Sequence, residues 1–261
     1  MAKMRRWVVK AGSKMVCDGG PLLMRTWMQQ VAELRRRHRI EVIWVSSGAI
    51  AWAIRRTDYR GGRKTLPQKQ ALSAIGQPLI MDQYGIALQS MGLLGAQVLL
   101  TGDDMRSAVR RRNLQNTLTE LLRWKAIPIL NENDAVATTE IQFGDNDALA
   151  AQVAQMMRAE RLVLMTDVEG FFDADPSRHS KATLVPYRRR ILPEDLKVAR
   201  TRSSSGVGTG GMYSKLLAAD RASRSGIVTH LVKGDRPRNL LDLAAGRSVG
   251  TQVGGKSLWP A

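Results

Sequence analysis

Ala126-Ile127-Pro128-Ile129-Leu130 is an apolar run that empties into Asn131-Glu132-Asn133-Asp134-Ala135-Val136, and a little further on stands Phe143-Gly144-Asp145-Asn146-Asp147. A short apolar run bounded by such residues reads as a buried strand. Open α/β sheets bind their ligands at the carboxyl ends of strands, so polar atoms massed there read as a site. Asn and Asp also favour turns through bonds from side chain to backbone. The same residues therefore read equally well as two turns joined by a small hairpin over 138–143. The stretch alone leaves both readings open.

Working outward, the same logic recurs. Residues 7–10 read as a strand ending in Ala11-Gly12-Ser13. Residues 22–37 follow Pro21 and carry Leu23, Trp27, Val31 and Leu34 on one helical face. A second strand over 40–45 ends in Ser46-Ser47-Gly48-Ala49-Ile50-Ala51 and leads into a helix to about Arg56. Residues 68–91 read as a helix broken near Gly76-Gln77-Pro78, 96–100 as a strand, 113–124 as a helix and 127–130 as the strand quoted above. Beyond it come a helix over 147–157 and a strand over 162–165 ending in Thr166-Asp167-Val168-Glu169-Gly170. A helix over 213–225, a strand over 229–232, a short helix over 240–245 and an edge strand over 250–253 complete the pattern, while 177–202 is mixed and basic. Alternating strands and helices predict an α/β fold with a mostly parallel central sheet and right-handed crossovers. No internal repeat and no second-domain boundary is visible.

The net charge of +17 attracts phosphates in any form, but it is mostly arginine scattered along helices, as in Arg35-Arg36-Arg37, Arg110-Arg111-Arg112 and Arg188-Arg189-Arg190. Aromatics make up only 5%, and none interleaves with these clusters as in single-strand binders, so a solvated surface is the favoured reading. Cys17 is the single cysteine, which excludes an internal disulfide and a cysteine metal cluster. His38, His179 and His230 stand far apart, so no protein-built metal site is expected. No apolar run reaches the length of a membrane span, and a reducing, cytoplasmic setting fits.

Several turns at strand ends can serve a phosphate. Lys10 with Gly12 and Ser13 offers a cation and backbone N–H groups, although an ordinary strand-to-helix turn looks the same. The Ser/Gly run 203–212 leads into a helix with Lys215 in its first turn, and reads either as an anion site or as a mobile linker. No P-loop and no dinucleotide fingerprint in its proper context is present, and no Ser, His and Asp set suggests a hydrolase triad. Phosphoryl transfer without a P-loop needs cations about the moving group, Mg2+ and positioning residues. Lysines from distant parts of the chain, oriented by carboxylates, would meet that need.

Taken together, these segments resemble the amino acid kinase family, in its glutamate 5-kinase branch. The matching motifs run in family order: 8–13, 45–51, 97–101, 128–134, 143–147, 164–170, 174–176 and Gly208-Thr209-Gly210-Gly211-Met212-x-x-Lys215. The pairing of Asn-Glu-Asn-Asp with Gly-Asp-Asn-Asp separates this branch from aspartate, acetylglutamate and UMP kinases. The resemblance implies a three-layer αβα sandwich. It further implies a single kinase domain over 1–261, with a glutamate-binding half about 1–160 and a nucleotide-binding half about 161–261, and without the family's frequent C-terminal RNA-binding-like (PUA) domain.

By the same resemblance the substrates are L-glutamate and ATP with Mg2+. Lys10 and Lys215 stabilise transition-state charge, and Asp147 orients them. Ser47, Gly48, Ala49, Asp134, Asp145 and Asn146 hold glutamate. Gly12, Ser13, Thr166, Asp167, Thr209, Gly210, Gly211, Met212, Tyr213 and Ser214, with both lysines, hold ATP. It also implies proline as feedback inhibitor, a homodimer or homotetramer, and a functional link to glutamyl-phosphate reductase; neither membrane nor nucleic acid is an expected partner. Departures from the family pattern are Lys14 after Gly-Ser, Trp52 in the helix after Ser47, the run 107–115, and Phe172-Asp173. A related kinase for another carboxylate or phosphate, or a catalytically weak relative binding nucleic acid through its arginines, remains the rival reading.

Overall fold

A computed structural model describes residues 4–62, 64–137, 146–201 and 211–259. The hairpin expected over 138–143, most of the Ser/Gly run, and Asp145, Thr209 and Gly210 lie outside them. The described strands are β1 (Arg5–Ala11), β2 (Ile40–Val45), β3 (Gly95–Leu100), β4 (Ile127–Glu132), β5 (Arg161–Thr166), β6 (Tyr187–Arg188), β7 (Val228–Lys233) and β8 (Thr251–Val253). They form one eight-stranded sheet in the order β3-β4-β2-β1-β5-β7-β8-β6. From β3 to β7 every pairing is parallel. β8 turns antiparallel to β7, and β6 pairs beyond it, so 251–253 is not the edge strand that its position in the chain suggested.

The helices are α1 (Ser13–His38), α2 (Ala49–Ile54), α3 (Leu66–Gln89), α4 (Gly102–Arg106), α5 (Ala108–Arg123), α6 (Asn146–Met156), α7 (Pro193–Thr201), α8 (Met212–Arg224) and α9 (Asn239–Ala244). They cover both faces of the sheet, because its strands are apolar on both faces. Trp7, Val9 and Ala11 of β1 pack with α1, α3 and α9, whereas Val8 packs with α5, α6 and α8. Side chains alternate along a strand. Lys10 therefore shares the face of Val8, and that face carries the helices α6 and α8.

Two helices depart from the sequence expectation. α1 begins at Ser13, directly after β1, and only kinks at Gly20 (φ 58°, ψ −160°) ahead of Pro21, where a start was expected. α3 runs unbroken through Gly76-Gln77-Pro78. Its start is fixed by Thr65, which forms a reciprocal capping box with Gln68. α3 stays whole because one stripe of it, Ser73, Gln77, Ile80 and Tyr84, is buried and bonded: Tyr84 receives Trp44 Nε1–H at 2.9 Å and the Ser46 hydroxyl at 3.2 Å. Tertiary contacts outweigh the missing N–H of Pro78. The mixed segment 177–202 contains β6 and α7, held together by Arg188 Nε donating to Asp195 Oδ2 at 3.1 Å.

Candidate active site

The carboxyl ends of β1, β2, β4 and β5 meet along one edge of the sheet. β1 delivers Lys10, α6 delivers Asp147 in its first turn and α8 delivers Lys215 in its first turns. Lys10 Nζ lies 2.6 Å from Asp147 Oδ1, and Lys215 Nζ lies 3.0 Å from Asp147 Oδ2. The single O–H of Ser214 lies within hydrogen-bond reach of the same Oδ2 at 3.0 Å and of the Gly211 carbonyl at 2.8 Å. Lys10, Asp147 and Lys215 are 2%, 0% and 4% exposed. Burying charges carries a large desolvation penalty, so a cluster of this kind is weak as a stability device. It is strong as a preorganised electrostatic one, since its cations are fixed before any reaction.

The turns that the sequence reading assigned to phosphate stand around this cluster. Gly12 and Ser13 form the start of α1, where Gly12 caps with its backbone alone; a Cβ on Gly12 would lie 3.8 Å from Lys10 Nζ. Thr166 and Asp167 stand at the end of β5, one strand over, with Thr166 Oγ1 donating to Asp167 Oδ1 at 3.3 Å. Lys14, the departure from the family pattern, bridges to Asp167 at 2.6 Å across this mouth. Burial would raise the Asp167 carboxyl, but the Lys14 ammonium holds it below its ordinary value. Met212 and Tyr213 turn elsewhere: Met212 is buried in a core cluster with Leu216 and Phe171, and the Tyr213 ring stacks under the Arg200 guanidinium at 4.7 Å. Of the helix-start residues, Ser214 and Lys215 reach Asp147, while the side chains of Met212 and Tyr213 pack against α7 and the core.

On the other side of β1, Ser47-Gly48-Ala49 form the turn from β2 into α2. Gly48 has φ 93°, and a Cβ there would lie 3.1 Å from Cys17 Sγ, so only glycine serves. Burial pushes the Cys17 thiol up to about 11, leaving it an uncharged packing group. Asn146 donates to the Ser46 carbonyl at 2.9 Å and to Asn131 Oδ1 at 2.7 Å, tying α6 to β2 and β4. Asp134 accepts from Ser73 Oγ at 3.4 Å, and burial holds its carboxyl above its ordinary value. Trp52 is 8% exposed and belongs to the core under α1 and α3. The contributions of Ser73 and Gln77 escaped the sequence reading, because that region read as a helix break. The recurrence of Ser73, Gln77, Ile80 and Tyr84 at one helical face was the signal available.

The arginine triplets lie on the surface. Arg37 pairs with Glu33, Arg110 with Asp104 and Arg188 with Asp195. Among the described residues no helix is long and apolar enough to cross a membrane, and no group of three or more His, Cys, Asp or Glu could hold a metal ion.

An αβα sandwich with lysines converging on one carboxylate at the sheet edge defines a phosphoryl-transfer class. A family model, the amino acid kinase family, matches residues 5–233, and the chain belongs to that family. A solved isopentenyl phosphate kinase shares the fold, with a TM-score of 0.62 over 95% of this chain and 100% of that one, at 13% identity. Within the family, the similarity runs to proteins named glutamate 5-kinase. That of Chromobacterium violaceum is 42% identical over 95% of this chain, which spans 67% of that protein's length. That of Thioalkalivibrio sulfidiphilus is 43% identical over 96% of this chain and 68% of its own length.

Proposed function

We propose that this chain transfers the γ-phosphoryl group of ATP to the side-chain carboxylate of L-glutamate, giving ADP and L-glutamyl 5-phosphate, the first step of proline biosynthesis. The observation that carries the reading is the buried Lys10–Asp147–Lys215 cluster, with Lys–carboxylate distances of 2.6 and 3.0 Å. The glutamate side chain is ionised at neutral pH, so the nucleophile needs no general base. One of its oxygens forms a bond to the γ-phosphorus as the bond to the β–γ bridging oxygen breaks, and the electron pair leaves with ADP. Lys10 and Lys215 face the charge that spreads over the phosphoryl oxygens. Asp147 keeps both ammonium groups in place. Mg2+, entering on the nucleotide's phosphates, supplies further neutralisation of their charge.

In this reading Gly12, Ser13, Thr166, Asp167 and the start of α8 take the nucleotide. Thr209 and Gly210 belong to the same segment by resemblance. The Ser47–Ala49 turn, Asp134 and Asn146 take the amino acid, with Asp145 beside them by resemblance. The strands and helices up to α6 thus form a glutamate-binding half, and those from β5 onward a nucleotide-binding half. Family resemblance alone supports four further expectations: proline competes with glutamate, the chain forms a homodimer or homotetramer, glutamyl-phosphate reductase consumes the product, and the setting is cytoplasmic.

The test is glutamate-dependent ADP release with the acyl phosphate trapped by hydroxylamine as the hydroxamate. The wild type is expected to form it. Lys10→Ala and Lys215→Ala are each expected to lose on the order of a hundredfold or more in kcat. A wild type that yields no hydroxamate sinks the assignment.

A further inference from the structure

Gln77 sits in the middle of α3, 6% exposed, and the reaction described above does not use it. Its Nε2 donates to the Glu132 carbonyl at 3.3 Å, and its Oε1 accepts from Asn131 Nδ2 at 3.2 Å. A backbone carbonyl can only accept, so the Gln77 amide has one workable orientation. Asn131 must then turn Oδ1 the other way, where it accepts the Glu132 N–H at 3.0 Å and Asn146 Nδ2 at 2.7 Å. Asn146 Nδ2 also donates to the Ser46 carbonyl at 2.9 Å. Both ends of this chain of amides rest on backbone groups whose roles cannot reverse. Asn146 Oδ1 is left buried, meeting no donor among the described residues. A buried acceptor without a donor is costly unless a ligand supplies one.

We propose that Gln77 is a positioning residue that anchors the amides of the amino-acid site in the polarity their backbone partners dictate. The Ser46 carbonyl already fixes the Asn146 NH2, and Gln77, through Asn131, holds that amide in place so that its carbonyl oxygen stays available to a substrate carrying an ammonium. Reversing the Asn146 amide would put donors against that ammonium. Asp134, assigned to the same substrate, is held from the same helix by Ser73, one turn before Gln77. α3 thus governs amino-acid recognition without touching the amino acid.

The proposal rests on the glutamate reading, and its test separates the two. Steady-state kinetics are measured with glutamate and with glutarate, which is glutamate without its amino group. In Gln77→Met the KM for glutamate is expected to rise about tenfold or more, the worth of one hydrogen bond to a charged group. The KM for ATP and the KM for glutarate stay where they were, so discrimination between the two acids collapses. Gln77→Glu provides the second readout. A protonated carboxyl there can donate to the Glu132 carbonyl and accept from Asn131 as the amide does, and burial favours that neutral form. Its defect, taken against wild type at each pH, should shrink as pH falls.

Equal losses on both acids, or an unchanged KM for glutamate in folded Gln77→Met, would overturn the proposal. So would a pH-independent defect in Gln77→Glu, which decides the matter alone if Gln77→Met does not fold. A wild type without glutamate turnover strikes the functional reading instead, and is seen before any variant is compared.

Discussion

Replacing Gly76 by alanine tests whether the approach of α3 to α2 sets the amino-acid pocket. A Cβ at Gly76 would lie 1.9 Å from the Ala49 carbonyl oxygen, 2.4 Å from its carbon and 2.9 Å from its Cα. All three are backbone atoms, so no rotamer change relieves the clash. Restoring ordinary contact requires the helices to part by about 1.5 Å at this point. Helix propensity favours alanine over glycine by about 1 kcal/mol, which opposes the loss. Overpacking at about 1–3 kcal/mol is the larger effect, and relief through a rigid backbone puts this site at the upper end. The net destabilisation is then about 1–2 kcal/mol, or a Tm lower by about 2–8 °C for a chain of this size.

The functional effect should exceed the stability effect. The shift moves Gly48 and Ala49 away from Ser73 and Gln77, and a misplacement near 1 Å can lower a rate about a hundredfold. Lys10, Asp147 and Lys215 are anchored on β1, α6 and α8, so the KM for ATP should hold. Differential scanning calorimetry and kinetics with each substrate varied measure both. A Gly76→Ala protein with wild-type Tm and wild-type KM for glutamate would falsify the reasoning.

Further outcomes concern titration and the phosphate mouth. Burial holds Asp134 above its ordinary pKa, and only its ionised form binds an ammonium, so the KM for glutamate should climb on acidification earlier than an ordinary aspartate allows. Asp134→Asn should raise that KM at every pH and flatten the profile; a wild-type KM constant down to pH ~4 contradicts this role. Burial, with help from Arg161, pushes the His230 imidazole down to about 3. Unfolding therefore takes up a proton between there and the unfolded value of about 6.5, so stability is full above that value and falls with pH by up to about 1.4 kcal/mol per unit. Urea midpoints across this range should show the slope, and His230→Gln should lessen it. The Lys14–Asp167 bridge is largely exposed, so Lys14→Ser should change stability by less than about 1 kcal/mol, with the difference fading in high salt. A larger change measured by urea denaturation means that the bridge is more than a surface pair.

The sheet was legible because its strands are short apolar runs ending in Gly, Ser, Asn or Asp, and local pattern is enough to read such runs. The same pattern placed Lys10 at a strand end and Lys215 in the first turn of a helix, though their meeting at Asp147 came from family resemblance and not from spacing. Three features were not legible. Pro78 argues for a break in α3, and only the buried bonds of Gln77 and Tyr84 to distant strands override it. Gly20-Pro21 hides that α1 begins at Ser13, since the kink resembles a start. The place of β8 inside the sheet depends on β6, two residues long and too short to carry a period. Each of these depends on contacts between residues far apart in the chain, which no local window contains.

The place of β1 also bears on how the chain is assembled. Its register with β2 spans a short stretch of sequence, but its other edge pairs Trp7 with Arg161 and Ala11 with Met165. On a ribosome, β1 to β4 emerge and can associate while that second edge stands open, lined by the backbone of a strand whose centre, Trp7-Val8-Val9, is apolar. Distant pairings form slowly, and unpaired edges invite intermolecular association. The strand that carries Lys10 is thus the one exposed longest during synthesis. Pulse-labelled hydrogen exchange during refolding should find β1–β2 amides protected before those of β5.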